Sequence, residues 1–285
     1  MSDITLINDS EQSQLVTNGL AVNGELYLKK EGSTDAGSIV VYDSGSWRTF
    51  SNDAVSFVQT YSLNFDGTND YLDAGTSSDY SILGGGSLSY WVYPSFTGAP
   101  NYMESIGKRS SAGFQVTHIK SGSTYNVSVY NHAFNGGFPV INLPTENQWY
   151  LITIVFHASG GATLYKNDGA SGSSGTGQTS TKTGYSYTED ASAPLYIGRH
   201  PSVLSRCYKG LIDEFAIFNS ELTASEVAAI YNSGVADDLA SYSPTSWWRM
   251  GDNNNGTGIT ISNQGSGGND ATLTNGPTFS TTVPS

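Results

Sequence analysis

The chain has 285 residues and a formal net charge of −13, with 12 Lys and Arg against 25 Asp and Glu, so phosphate neutralisation cannot drive binding and nucleic acid is not an expected partner. Charged residues make up only 13% while Gly numbers 33 and Tyr 18, a balance that favours short strands and tight turns over long salt-bridged helices. No stretch approaches the length of a membrane span, the start MSDITLINDSEQSQLV lacks the basic and apolar runs of a signal peptide, and a lone Cys207 allows no intrachain disulfide. These features predict a protein made in a cytoplasm, without membrane insertion and with Cys207 as a buried free thiol.

Taken in chain order, residues 1–55 hold a polar start, a strand at Glu25 to Lys30, and a hairpin in which Ser38–Tyr42 and Trp47–Phe50 flank the turn at Asp43–Ser46. An isolated hairpin is marginal in water. This segment is therefore expected to attach to a larger surface through Tyr42, Trp47 and Phe50. Residues 56–243 read as a β-sandwich: YSLNFDGTNDYLDAG from Tyr61, GSLSYWVYP from Gly86, WYLITIVFHASGGATLYKNDG from Trp149, and PLYIG from Pro194. Within it, residues 170–183 are a small-residue run that reads as an exposed loop. From Lys209 comes KGLIDEFAIFNSELTASEVAAIYNSG, a strand over Gly210–Asn219 followed by one capped helical turn. Thr223 and Glu226 form a capping box, Leu222 and Val227 a hydrophobic staple, and Gly234 the stop. Residues 244–285 form a tail that adds strands or covers an edge.

The order of these segments, above all G-L-I-D-E followed by a short helix, resembles the laminin-G-like, concanavalin A-like jelly roll domains. The resemblance implies an all-β sandwich of two antiparallel sheets with one short helix, here with a small β-hairpin amino-terminal segment. The piece Trp247–Pro277 usually precedes the sandwich in that family, whereas here it follows. That arrangement, with the stretch Gly24–Phe50, is similar to virion proteins of marine tailed bacteriophages. It implies a non-enzymatic virion structural protein, synthesised in a bacterial cytoplasm and exposed as a head decoration, fibre or tail-fibre knob. Its partners are then capsid or tail proteins of the same virion, copies of itself in a trimer, and a host-surface glycan. The alternative is a free carbohydrate-binding or glycan-hydrolysing module.

Glycan-cleaving relatives carry acids at E-x-D-x-E spacing, which strand alternation sets on one face. This chain has none; Asp213 and Glu214 are adjacent, which on a regular strand sends them to opposite faces. His118, His132, His157 and His200 are scattered and read as strand or surface residues. The resemblance implies a structural calcium, which takes six to eight oxygens, with Asp213 and Asp66 as the first candidates and Asp70 and Asp73 close behind. Asp66 and Asp70 equally suit turn hydrogen bonds to their own backbone. A sugar platform needs exposed rings beside polar groups; Tyr102, Tyr125, Tyr130, His132, Tyr185 and Tyr187 lie in or beside expected loops, while Trp91, Trp149 and Phe156 are expected to pack on the sheets.

Overall fold

The computed structural model describes the backbone of four strands between residues 5 and 50 and, beyond them, residues 57–110, 112–131, 139–167 and 177–285. The chain divides into two compact units, Met1–Phe57 and Val58–Ser285. In the first, β1 (Thr5–Ile7), β2 (Leu26–Lys29), β3 (Ile39–Asp43) and β4 (Ser46–Phe50) form one sheet in that order, with β1 parallel to β2 and the others antiparallel. The hairpin sets Tyr42 opposite Trp47 and Ile39 opposite Phe50. The side chains of Tyr42, Trp47 and Phe50 lie outside the described residues.

The second unit begins with β5 (Ser62–Asp66), β6 (Tyr71–Asp73), β7 (Gly86–Pro94), β8 (Tyr102–Arg109), β9 (Gly113–Ser121) and β10 (Thr124–Asn131). It continues through β11 (Val140–Asn142), β12 (Tyr150–Phe156), β13 (Gly161–Asn167), β14 (Gln178–Thr183), β15 (Tyr196–Ile197) and β16 (Lys209–Phe218). After the helix α1 (Ala224–Tyr231) come β17 (Ser246–Trp248), β18 (Thr260–Ile261), β19 (Ala271–Thr274) and β20 (Thr278–Ser280). The front sheet runs β11-β10-β9-β8-β15-β6-β19-β18; the back sheet runs β14-β13-β12-β7-β16-β5-β20, with β17 also paired to β16. This is the expected jelly roll of two antiparallel sheets with one short helix.

Alternation along the strands builds the core. Leu88, Tyr90 and Val92 of β7 face Phe114 and Val116 of β9 and Val127 and Val129 of β10 in one buried cluster. Each such side chain contributes roughly 1.5–3 kcal/mol by leaving water. The tail is part of the sandwich: β18 and β19 extend the front sheet and β20 the back one.

Two local expectations change. Residues 178–183 are an edge strand on β13, not a loop; an edge needs one backbone neighbour and no buried face, and Thr179, Thr181 and Lys182 suit that position. The helix makes two turns rather than one. Its capping box is complete, with Glu226 N–H donating to Thr223 Oγ1 at 3.2 Å and Thr223 N–H to Glu226 Oε2 at 2.7 Å, and Leu222 and Val227 are buried beside it. It ends at Asn232, whose left-handed φ of 43° does the work expected of Gly234.

Candidate functional site

On β9 the sequence Phe114-Gln115-Val116-Thr117 alternates, so Gln115 and Thr117 stand on the outward face of the front sheet. β8 pairs with β9 through a bulge between Glu104 and Ile106, which sets Glu104 opposite Thr117 on the same face. A short arch from Arg199 to Cys207 crosses above them, bridging Glu104 with Cys207. Gly107 makes this possible: a Cβ there would meet Pro201 Cδ at 2.5 Å and Arg199 O at 2.9 Å.

The arch carries its own clamp. His200 Nδ1 accepts the N–H groups of Ser202 and Val203, both at 2.9 Å, so the ring proton sits on Nε2 and donates to Gln115 Oε1 at 3.1 Å. Burial holds the His200 imidazolium down near 4, with Arg206 and Arg109 adding to the effect, so the ring is neutral. Arg109 Nη1 also donates to Gln115 Oε1, at 2.8 Å, which fixes the amide so that its Nε2 donates to Glu104 Oε1 at 3.1 Å. Glu104 Oε1 further accepts Arg206 Nη1 at 3.2 Å, and Oε2 shares a hydrogen bond of 2.7 Å with the Thr117 hydroxyl. Burial pushes the Glu104 carboxyl up to about 8, against the pull of Thr117, Arg206 and Arg109.

Above this network opens a pocket of about 300 Å³, lined by Tyr102, Arg109, Gln115, Thr117, Tyr130 and Arg206 among others. Arg109 lies over the Tyr130 ring at 4.2 Å and Arg206 over Tyr102 at 5.1 Å. A second hollow of about 250 Å³ adjoins it, sharing Tyr102 and Arg206. Farther along the sheet, Arg199 lies 3.8 Å over Tyr71 and 5.3 Å from Tyr196. From β10 to β6 the stripe of arginines and tyrosines crosses four strand spacings, about 19 Å. Such a surface can stack sugar rings and donate charge-assisted hydrogen bonds. Among the described lining residues none is Asp or Glu, and Glu104 alone sits beneath, whereas glycoside hydrolysis uses two carboxyls flanking the bond.

Of the six residues expected at a sugar platform, Tyr102 and Tyr130 line this pocket. Tyr125 instead stacks on Phe96 at 3.7 Å, Tyr185 and Tyr187 pack against the core, and His132 lies outside the described residues. His118 is buried against Ser105, its pKa pushed down to about 3 by burial, and His157 bonds Glu221 and Thr163. Trp91 and Phe156 are buried as expected. Trp149 packs on Tyr93 of β7, ring centroids 5.3 Å apart, and with Trp91 and Tyr231 these rings line a cavity of about 580 Å³ on the outer side of the back sheet.

The two first calcium candidates are not brought together. Asp66 stands opposite Lys209 on β16 and Asp213 four residues farther along, roughly 13 Å away. Asp66 Oδ1 accepts the Thr68 N–H, Asp70 Oδ2 the Asp66 N–H and Asp73 Oδ1 the Gly75 N–H, all turn hydrogen bonds. Asp213 is fully buried and accepts from the Gln59 amide and the Glu214 N–H. Asp213, buried with both carboxylate oxygens already accepting hydrogen bonds, does not suit the rim calcium that the resemblance implies, and among the described residues no group of three His, Cys, Asp or Glu is arranged to hold a metal.

Asp213 and Glu214 do not point to opposite faces either. β16 shifts register against β7 between Asp213 and Ala216, and Glu214 takes a φ of 47°. The extra residue turns both carboxyls into one buried network. Glu214 accepts from the Trp247 indole and, at 3.1 Å, from Arg249 Nε; Arg249 Nη2 reaches Asp252 at 3.1 Å and Val58 O at 2.7 Å. Burial raises Asp213 well above the carboxylate range, helped by Glu214 and Asp252, and raises Glu214 as well.

Solved structures of low identity resemble this chain to differing degrees. A candidate carbohydrate-binding protein from Bacteroides ovatus matches with a TM-score of 0.52 and 15% identity, over 91% of this chain and 70% of that one. A heptameric SAP-like pentraxin from Limulus polyphemus gives 0.45 and 16%, over 60% and 82%. Tailspike protein 2 of the Escherichia coli O157:H7 bacteriophage CAB120 gives 0.43 and 10%, over 70% of this chain and 31% of that one. No curated protein matches the sequence. A family model matches residues 66–228, more than half of the chain, and with the two-sheet jelly roll it shows that the protein belongs to the concanavalin A-like lectin/glucanases superfamily.

Proposed function

We propose that the Val58–Ser285 unit is a non-catalytic glycan-binding module and that the chain is a surface protein of a bacteriophage particle, displayed as a decoration, fibre or tail-fibre knob. The observation that carries the glycan reading is the pair of stacked couples, Arg109 on Tyr130 and Arg206 on Tyr102, around one pocket over Gln115 and Thr117. Rings offer faces to sugar C–H groups, and the polar floor directs hydrogen bonds to hydroxyls. Family membership and the shared fold with the Bacteroides protein support it. Particle display is supported by the similarity of the tail and of Gly24–Phe50 to virion proteins, and by the separate compact unit Met1–Phe57. In this reading that unit docks on capsid or tail proteins through Tyr42, Trp47 and Phe50, and copies assemble as trimers.

Glycan-array binding by the full chain tests the first part. Wild type binds at least one glycan, and Tyr102→Ala and Tyr130→Ala each weaken it about ten-fold or more; retention of full affinity by both variants rejects the site. Turnover of the bound glycan, abolished by a single carboxylate change, rejects the non-catalytic assignment. For display, a chain shortened to begin at Ser56 stays folded and soluble but fails to join particles, and its full incorporation rejects the attachment role.

A further inference from the structure

We infer that this pocket selects an acidic sugar, whose carboxylate or sulfate ester is held between Arg109 and Arg206. The inference rests on the glycan reading above and names its ligand class. In a chain of net charge −13, three of five arginines, Arg109, Arg199 and Arg206, gather on the outward face of one sheet. A guanidinium carries five donors in a planar fork that matches an oxyanion. Among the described residues, Arg206 spends one hydrogen bond on Glu104, and Arg109 bonds Gln115 and, at 3.4 Å, the Tyr130 hydroxyl. Both also stand over tyrosine rings, which orients each fork and gives a sugar ring its adjoining surface. No described carboxylate lines the pocket to repel an anion.

The groups facing Glu104 decide the net charge beneath the ligand. Arg206 and Arg109 are cationic, His200 is neutral, the buried Tyr90 phenol is held protonated, and burial raises the Cys207 thiol. Glu104, raised by burial to about 8, keeps its proton at neutral pH and leaves both guanidinium charges uncancelled. When pH rises through that value the new carboxylate competes with the ligand's anion.

The test is calorimetric titration of the full chain with three oligosaccharides of equal length: an oligouronate, a sulfated galactan fragment and a neutral β-glucan fragment. One acidic ligand is expected to bind about ten- to hundred-fold more tightly than the neutral one. Its affinity falls with added salt and falls again above pH 8. Arg206→Gln and Arg109→Gln remove the preference, and Glu104→Gln removes the decline above pH 8. Which acid binds distinguishes carboxylate from sulfate. Equal or tighter binding of the neutral sugar overturns the anionic assignment while leaving the glycan reading intact. Acidic binding untouched by both arginine changes overturns it too, and binding of none of the three alongside a blank glycan array overturns both. If an arginine variant fails to fold, the salt and pH responses of the wild type decide.

Discussion

Glu104 and Glu214 are both buried glutamates in direct contact with one arginine, at 3.2 and 3.1 Å, yet one lies beneath an open pocket and the other is sealed inside the fold. Their partners differ in exposure: the Arg206 side chain is 32% exposed and that of Arg249 13%. Arg206 therefore has charge to offer a ligand, whereas Arg249 spends its own on Glu214, Asp252 and Val58 O. Through Asp252, whose Oδ1 accepts the N–H groups of Thr60 and Tyr61 at 2.8 and 2.9 Å, the second cluster ties the start of the unit to the β16 bulge and the tail. The same pairing chemistry faces an open pocket in one place and holds the chain path in the other, according to what covers it.

The largest effect that separates the two regions is loss of Arg249. Arg249→Ala leaves Glu214 and Asp252 buried without their cation and is expected to cost about 3–5 kcal/mol in urea unfolding. Arg206→Gln keeps a donor to Glu104 and is expected to cost about 1 kcal/mol. Equal losses would show that the two arginines are held alike. Next comes Gly107→Ala, whose methyl displaces the Arg199–Cys207 arch. The change is expected to cost about 1–3 kcal/mol and to weaken glycan binding in the same titration, and unaltered binding would show that the arch does not shape the pocket.

The two glutamates also differ in their pH response. The Glu104 carboxyl is raised from 4.5 to about 8 on folding, so the folded chain holds a proton that the unfolded chain gives up between those values. The stability it contributes is complete below about 4.5 and lost as pH rises through about 8, a change on the order of a few kcal/mol. Glu104→Gln flattens that part of the melting-temperature profile; the slope that remains belongs to Asp213, Glu214 and the other groups raised by burial. An unchanged slope in the variant would remove Glu104 as its source.

Much of the fold is written locally and the site is not. The capping box, the staple and the apolar strand before α1 are each contained in a dozen residues, so their physics is visible in the sequence. The pocket instead joins residues 102–130 to residues 199–207 through strand register, and no local pattern states that Glu104 lies opposite Thr117. One signal was available: Gln115 and Thr117 interrupt an apolar strand at period two, the mark of an outward polar stripe. The bulge at Glu214 has no signature in Ile-Asp-Glu-Phe, so regular alternation gave the wrong faces. Tyr102 and Tyr130 shared their loop-side positions with Tyr125 and Tyr187, and only tertiary packing separates the rings that line the pocket from those packed against the core.

The smallest expected effect concerns calcium. With Asp213 committed to Gln59 and the Glu214 N–H, added calcium is expected to leave the melting temperature unchanged. A rise with the logarithm of calcium concentration that Asp213→Asn abolishes would restore the site.

In the proposed function the glycan sits on the front sheet. A crystal structure of the full chain with its tightest-binding oligosaccharide tests it most directly. A sugar ring is expected between Tyr102 and Tyr130, with its acidic group on Arg109 and Arg206. A sugar bound instead against Trp91, Trp149 and Tyr231 in the cavity on the back sheet, with the arginine pocket unoccupied, would contradict it.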